Sequence, residues 1–241
     1  VTPPVPPDAA APPDPPPALA TTWRNTVRIV ASRFPPVDLF ERIADPADWD
    51  ALFAVEAMTN PRLREAADAL RTIPLADRAT GPGASLIMAP FTHLPPGGGR
   101  FSTATFGAWY AAFTRETAIA ETVHHRARFL AATAEPAQAI DLRVLMATVT
   151  ADVDDLRGAP RFAALLDPGD YTASQRFAAE RRAAGRDGLC YDSVRHPGGN
   201  CLAIWRPRCV RTVRQAAHLS YVWDGRRITG WFEKSRFTAL G

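Results

Sequence analysis

The chain has 241 residues, 46% of them apolar and 22% charged, with a formal net charge of +3. That is ordinary globular composition, long enough for one well-buried core with or without a tail. The charge is too slight to argue for nucleic-acid binding by itself, although all basic residues except Lys234 are arginine, a planar, bidentate partner for phosphate.

No stretch approaches the roughly 18 uncharged apolar residues that a membrane span needs. The first residues lack a charged region followed by an apolar one, as a secretory signal would have. Cys190, Cys201 and Cys209 are odd in number and lack CxxC spacing, which argues against a zinc site or a disulfide framework. The expected setting is cytoplasmic, with the thiols packed as small apolar groups in a reducing compartment.

Residues 1–19 are proline-rich, and proline removes backbone donors and fixes φ. They read as a solvated, polyproline-like tail, with one domain over 20–241. Thr26–Ala31 alternates as a strand, Val27, Ile29 and Ala31 on one face and Thr26, Arg28 and Val30 on the other. A helical elaboration follows at about 34–85. Asp45-Pro46 starts one stripe, the chain breaks near Asn60-Pro61, and Leu63, Ala66, Ala67 and Leu70 form a second. Ser85–Phe91, a compact apolar run, reads as a buried strand.

His93–Gly99 reads as a Pro/Gly loop, and the aromatic-rich Phe101–Phe113 as one or two strands. Thr114 caps a helix to about Leu130, and Gln138–Val153 is the longest β-rich stretch. A helix at 172–184 stops at Gly185, and strands recur near 188–194, 200–206, 217–223 and 227–232. Asp224-Gly225 marks a hairpin between the last two. The pattern predicts an α+β fold with mainly antiparallel strands and flanking helices.

Several residues could carry chemistry. Gly97-Gly98-Gly99 permits close backbone approach, and Arg100 directly after it could place a guanidinium on a diphosphate. On the helix after Thr114, Ile119, Val123, Ala127 and Leu130 form the core stripe. Glu121 lies opposite with Thr117, His124 and Arg128, a polar face that reads as solvated unless it borders a cleft. Tyr110 shares a strand face with Phe106 and Ala108, the pattern of a core tyrosine. Arg28 interrupts an apolar strand and needs an anionic partner, either an internal carboxylate or a phosphate. Ser193 precedes a Gly-Gly turn, where it either caps the turn or meets a ligand. The five histidines show no HExxH or other metal spacing, so no metal is expected.

In this order, these clusters resemble the RES domain. Its pattern runs from a strand similar to Y-R-V-V through G-G-R-W-N and a tyrosine ten residues on, to a helix ending in glutamate, then Y-D-S-V-R and G-G. The matching segments are Val27-Arg28-Ile29-Val30, Gly98-Gly99-Arg100-Phe101-Ser102, Tyr110, Glu121, Tyr191-Asp192-Ser193-Val194-Arg195 and Gly198-Gly199. Phe101-Ser102 departs from the usual Trp-Asn, and the 34–85 segment is longer than in many members. Arg24 and Arg33 compete with Arg28 for the first motif arginine.

The resemblance implies a fold similar to ADP-ribosyltransferase toxins and an enzyme that consumes NAD+ as substrate, with no further cofactor. Glu121, Arg100 and Tyr110 would act in catalysis, and Arg28, Arg100, Tyr110 and Ser193 would bind the dinucleotide. The implied setting is a toxin neutralised by an Xre-like antitoxin, either as a homodimer or as a hetero-oligomer with it. Modification of a protein target by ADP-ribosylation, or a non-enzymatic interaction module, are the alternatives. Direct nucleic-acid binding through the clusters Arg181, Arg182, Arg186 or Arg206, Arg208, Arg211, Arg214 is not expected, because neither has a recognition motif.

Overall fold

The computed structural model describes residues 14–32 and 70–234. The tail before Asp14 and residues 34–69 of the expected helical elaboration lie outside the described residues. Within them run β1 (Ala18–Ala31), α1 (Ala84–Thr92), β2 (Trp109–Ala112), α2 (Arg115–Ala132), β3 (Gln138–Asp155) and α3 (Thr172–Ala183). Then come β4 (Gly188–Asp192), β5 (Asn200–Ile204), β6 (Val210–Trp223) and β7 (Ile228–Glu233). The result is an α+β fold, antiparallel in every described strand pairing except β3 with β4.

The strand order is β1-β2-β5-β4-β3-β6-β7, and β1 also pairs with β3. Those pairings close β1, β2, β5, β4 and β3 into a ring, with β6 and β7 extending it. Val27 is where the ring closes, opposite Ala112 of β2 on one side and Met146 of β3 on the other. β1 starts earlier than Thr26, and its register slips between Trp23 and Thr26. Asn25 takes up the slip at φ 59°, a left-handed conformation that asparagine tolerates better than most residues.

Alternation along the strands builds two cores. On one face Leu145, Ala147, Val149, Cys190, Leu202 and Ile204 pack with Ile87, Met88 and Phe91 of α1. On the other Val27, Ile29, Leu142, Val144, Leu189, Tyr191 and Ala203 pack with Ala118 and Ile119 of α2 and Ala178 of α3. Strands β4 and β5 are buried on both faces, so they read as continuous apolar runs.

Two sequence expectations are corrected. Ser85–Phe91 is not a strand but most of α1, which buries Ala84, Ser85, Ile87, Met88, Phe91 and Thr92. Its partly buried residues, Leu86, Ala89 and Pro90, are apolar too, so the run has no polar face to reveal a helical period. Of Phe101–Phe113, only Trp109–Ala112 is extended. Phe101 and Phe106 are buried from a loop, anchored where Trp205 Nε1 donates to the Phe101 carbonyl (2.8 Å).

The remaining strands and helices fall where expected, except that β6 starts at Val210, seven residues before the strand expected near 217–223. Thr114 caps α2 by accepting from Thr117 N, and Gly185 (φ 87°) follows α3. β6 and β7 form a hairpin across Asp224–Arg227, with Gly225 at φ 95°.

Candidate active site

A cavity of about 930 Å³ opens between the end of the ring near β1 and β2, the face of α2 and the glycine loop. That size is at the upper end of ordinary ligand pockets. Its described lining includes Arg28, Gly97–Gly99, Arg100, Tyr110, Glu121 and Tyr191. Four of the five residues singled out from sequence therefore face one space. The fifth, Ser193, reaches it through a hydrogen bond.

Glu121 comes from α2, which presents Ala118, Glu121, Thr122, His125, Arg126 and Phe129 to the cavity, with the exposed Arg128 beside them. The spacing 118, 121, 122, 125, 126, 129 is one stripe of a 3.6-residue helix. The polar face is thus not solvated as a whole. Thr117, fully buried, bonds His196 Nδ1 (2.8 Å) and Thr114 Oγ1 (2.9 Å). Gly199 packs against it so closely that a Cβ there would fall 2.4 Å from Thr117 Oγ1. Helix α2 is therefore pinned at its start, which fixes where Glu121 stands.

Ser193 Oγ donates to Glu121 Oε1 (2.6 Å) and accepts from the backbone N–H groups of His196 (3.0 Å) and Arg195 (3.2 Å). The turn-capping reading of Ser193 holds, and the same turn aims its hydroxyl at Glu121; Ser193 itself does not line the cavity.

The glycine loop is held from two sides. Gly98 sits at φ 66°, and Gly99 and Ser102 form an isolated bridge. Gln175 of α3 donates through Nε2 to the carbonyls of Gly97 (2.9 Å) and Gly99 (3.0 Å). Tyr110 Oη accepts from Phe101 N (2.8 Å) and bonds Ser102 Oγ (3.1 Å), so its hydroxyl fastens the loop that carries Arg100. Burial pushes the Tyr110 phenol up to about 12, so it stays protonated at neutral pH.

Arg100 is buried, 7% exposed. Its Nη1 donates to the carbonyls of Leu165 (3.4 Å) and Asp167, and its guanidinium lies over the Tyr171 ring at 4.6 Å. Arg28 donates through Nη1 to the Tyr110 carbonyl (3.0 Å) and lies over Trp109 at 5.0 Å. Burial lowers its pKa to about 10, still charged at neutral pH. Arg24 is exposed on β1 and does not line the cavity, and Arg33 lies outside the described residues.

Cys201 also lines the cavity, but burial raises its pKa, which suits a packed thiol rather than a nucleophile. Among the described residues no three His, Cys, Asp or Glu side chains gather as for a metal ion. None of the described helices is long and apolar enough to cross a membrane.

Sequence reasoning missed His125, Arg126 and Gln175. The first two were detectable as members of the helical stripe that includes Glu121. Gln175 carried no sequence signal, because its role depends on where α3 lands against a loop far away in the chain.

The RES domain family matches residues 75–224. The chain is 32% identical over 205 residues to an uncharacterized protein, y4oC, of Sinorhizobium fredii (strain NBRC 101917 / NGR234), covering 84% of each. A chain of the crystal structure of the M. tuberculosis MbcT-MbcA toxin-antitoxin complex aligns at 12% identity and a TM-score of 0.44, over 84% of this chain and 86% of that one.

Proposed function

This chain belongs to the RES domain family, and from that premise we propose that it cleaves the nicotinamide–ribose bond of NAD+. The observation that carries the reading is the pairing of one fixed acid with several cations. Glu121, held by Ser193, faces a cavity that receives Arg28 from β1 and Arg100 from the glycine loop.

Breaking that bond passes through an oxocarbenium-like transition state, as glycoside hydrolysis does. Nicotinamide is cationic before it leaves and neutral afterwards, so no strong acid is needed to protonate it. The protein's task is to grip the diphosphate, bend the ribose and place negative charge beside the developing cation. Arg28 and Arg100 suit the grip, and the Glu121 carboxylate suits the sugar. Ser193 orients Glu121, and Tyr110 holds the loop while its ring borders the nicotinamide side.

With water as acceptor the products are ADP-ribose, nicotinamide and a proton. Inorganic phosphate in place of water gives phosphorolysis, and a protein side chain gives ADP-ribosylation. Depletion of NAD+ would make the chain a toxin of the cytoplasm, held in check by an Xre-like antitoxin. The fold would then be a relative of the ADP-ribosyltransferase toxins.

The test is to incubate NAD+ with the purified chain, with and without phosphate, and to identify the products. Nicotinamide release is expected in either case, and the second product names the acceptor. Intact NAD+ after prolonged incubation with stoichiometric protein would overturn the reading.

A further inference from the structure

The diphosphate grip described above leaves two arginines of the cavity without a task, Arg128, which is exposed, and Arg126, which is half-buried. Arg126 lies one helical turn beyond Thr122 on the α2 stripe, and both residues line the cavity. Thr122 bonds Tyr221 Oη (2.8 Å), and Arg126 stands close enough to that phenol and to Arg28 for their charges to interact. Its side chain is half-buried, and among the described residues it takes part in no ion pair or hydrogen bond.

Burying a guanidinium without an anionic partner costs free energy, and proteins rarely leave one so placed. Glu121 is the one carboxylate among the described lining residues, and it forms no ion pair with Arg126. Arg100, meanwhile, has Nη1 committed to the carbonyls of Leu165 and Asp167. Two neighbouring guanidiniums, Arg28 and Arg126, thus face the same space from β1 and α2 with no described carboxylate between them. A phosphate oxygen between them would relieve their repulsion and accept from both.

We propose that Arg126 binds the diphosphate of the nucleotide together with Arg28, forming a phosphate subsite on the α2 side of the cavity. The inference rests on the nucleotide reading above, but it concerns binding and not bond cleavage. It has a further consequence. Removing a desolvated cation that lacks a protein partner should leave the free protein at least as stable, whereas removing a structural arginine would weaken it.

The experiment measures calorimetric affinities of the full chain for ADP and for adenosine, with Arg126→Met and Arg126→Lys as variants. The methionine variant is expected to bind ADP about tenfold more weakly or worse, the loss of one charge-assisted hydrogen bond. Adenosine affinity should be unchanged, and the lysine variant should recover part of the loss. The melting temperature of Arg126→Met should equal or exceed the wild type's. ADP affinity within twofold of wild type in Arg126→Met would overturn the subsite, as would a lowered melting temperature with equal losses for ADP and adenosine. A wild-type chain that binds ADP through Arg126 yet leaves NAD+ intact would remove the cleavage reading and keep the subsite. Normal NAD+ cleavage with ADP affinity indifferent to Arg126 would do the reverse.

Discussion

Ser193 Oγ donates a 2.6 Å hydrogen bond to Glu121 Oε1 across 72 residues of chain. The same oxygen accepts from two backbone N–H groups of its own turn, Arg195 and His196. That turn is what sets the direction of the donated proton. The acid is therefore oriented by a rigid loop, and preorganisation of this kind is how a carboxylate stabilises a cation at the moment it forms.

Glu121→Gln keeps the shape and an oxygen for Ser193 to donate to, but removes the negative charge. Turnover of NAD+ is expected to fall about a hundredfold, roughly 3 kcal/mol, while NAD+ binding changes little. Steady-state kinetics beside a binding titration checks this. Near-normal turnover would take Glu121 out of the mechanism.

Ser193→Ala leaves the carboxylate but frees its torsion, and strips two N–H groups of their acceptor. The expected result is a fall in kcat of about tenfold and a stability loss of about 1 kcal/mol. A serine that only caps its turn would cost stability and leave kcat unmoved, so kinetics and thermal melting together decide.

At Gly99 an added Cβ would lie 2.7 Å from Tyr110 Oη and 2.9 Å from Ser102 Oγ. Gly99→Ala should cost about 1–3 kcal/mol through overpacking. Combining it with Tyr110→Phe removes the nearest atom, so the double variant should be more stable than the two single losses predict. Simple additivity in chemical denaturation would show that the loop yields elsewhere.

Asp154 is fully buried and receives Arg181 (2.6 Å) and Arg186 (3.0 Å), whereas Asp152, paired to the same Arg186, is half exposed. Asp154→Asn should destabilise by on the order of 3 kcal/mol, since it leaves desolvated arginines short of a partner. Asp152→Asn should cost less than about 1 kcal/mol because solvent screens its pair. Equal losses in urea titrations would refute the distinction.

His124 Nε2 is buried with no hydrogen-bond partner among the described residues. Burial, reinforced by Arg195, His125 and Arg128 and opposed by Glu121, lowers its pKa to about 4. Between about 6.5 and about 4 the unfolded chain holds the proton that the folded chain refuses. This contribution to stability is therefore full above pH 6.5 and is lost as pH falls toward 4. Melting temperatures of wild type and His124→Gln should diverge across that window, the wild type falling more steeply. Parallel curves would remove His124 from the acid response.

Local signals were legible in the chain because local geometry decides them. Thr114 and Gly185 mark helix ends through hydrogen bonding and a left-handed φ. Asp224-Gly225 marks a hairpin, and the alternation of Gln138–Asp155 marks a strand whose two faces meet two cores. The order of the motif residues was legible too, and it pointed to the family. What faces what was not. Periodicity gives the angle of Glu121 about the axis of its helix but not whether water, a cavity or another element stands opposite. Only the closure of β1 against both β2 and β3, with α2 pinned by His196, brings Arg28, Tyr110, Glu121 and Ser193 together. The same contacts turned an apolar run into α1 and set Arg126 half-buried at the cavity, because burial is a property of neighbours that a chain read in isolation does not contain.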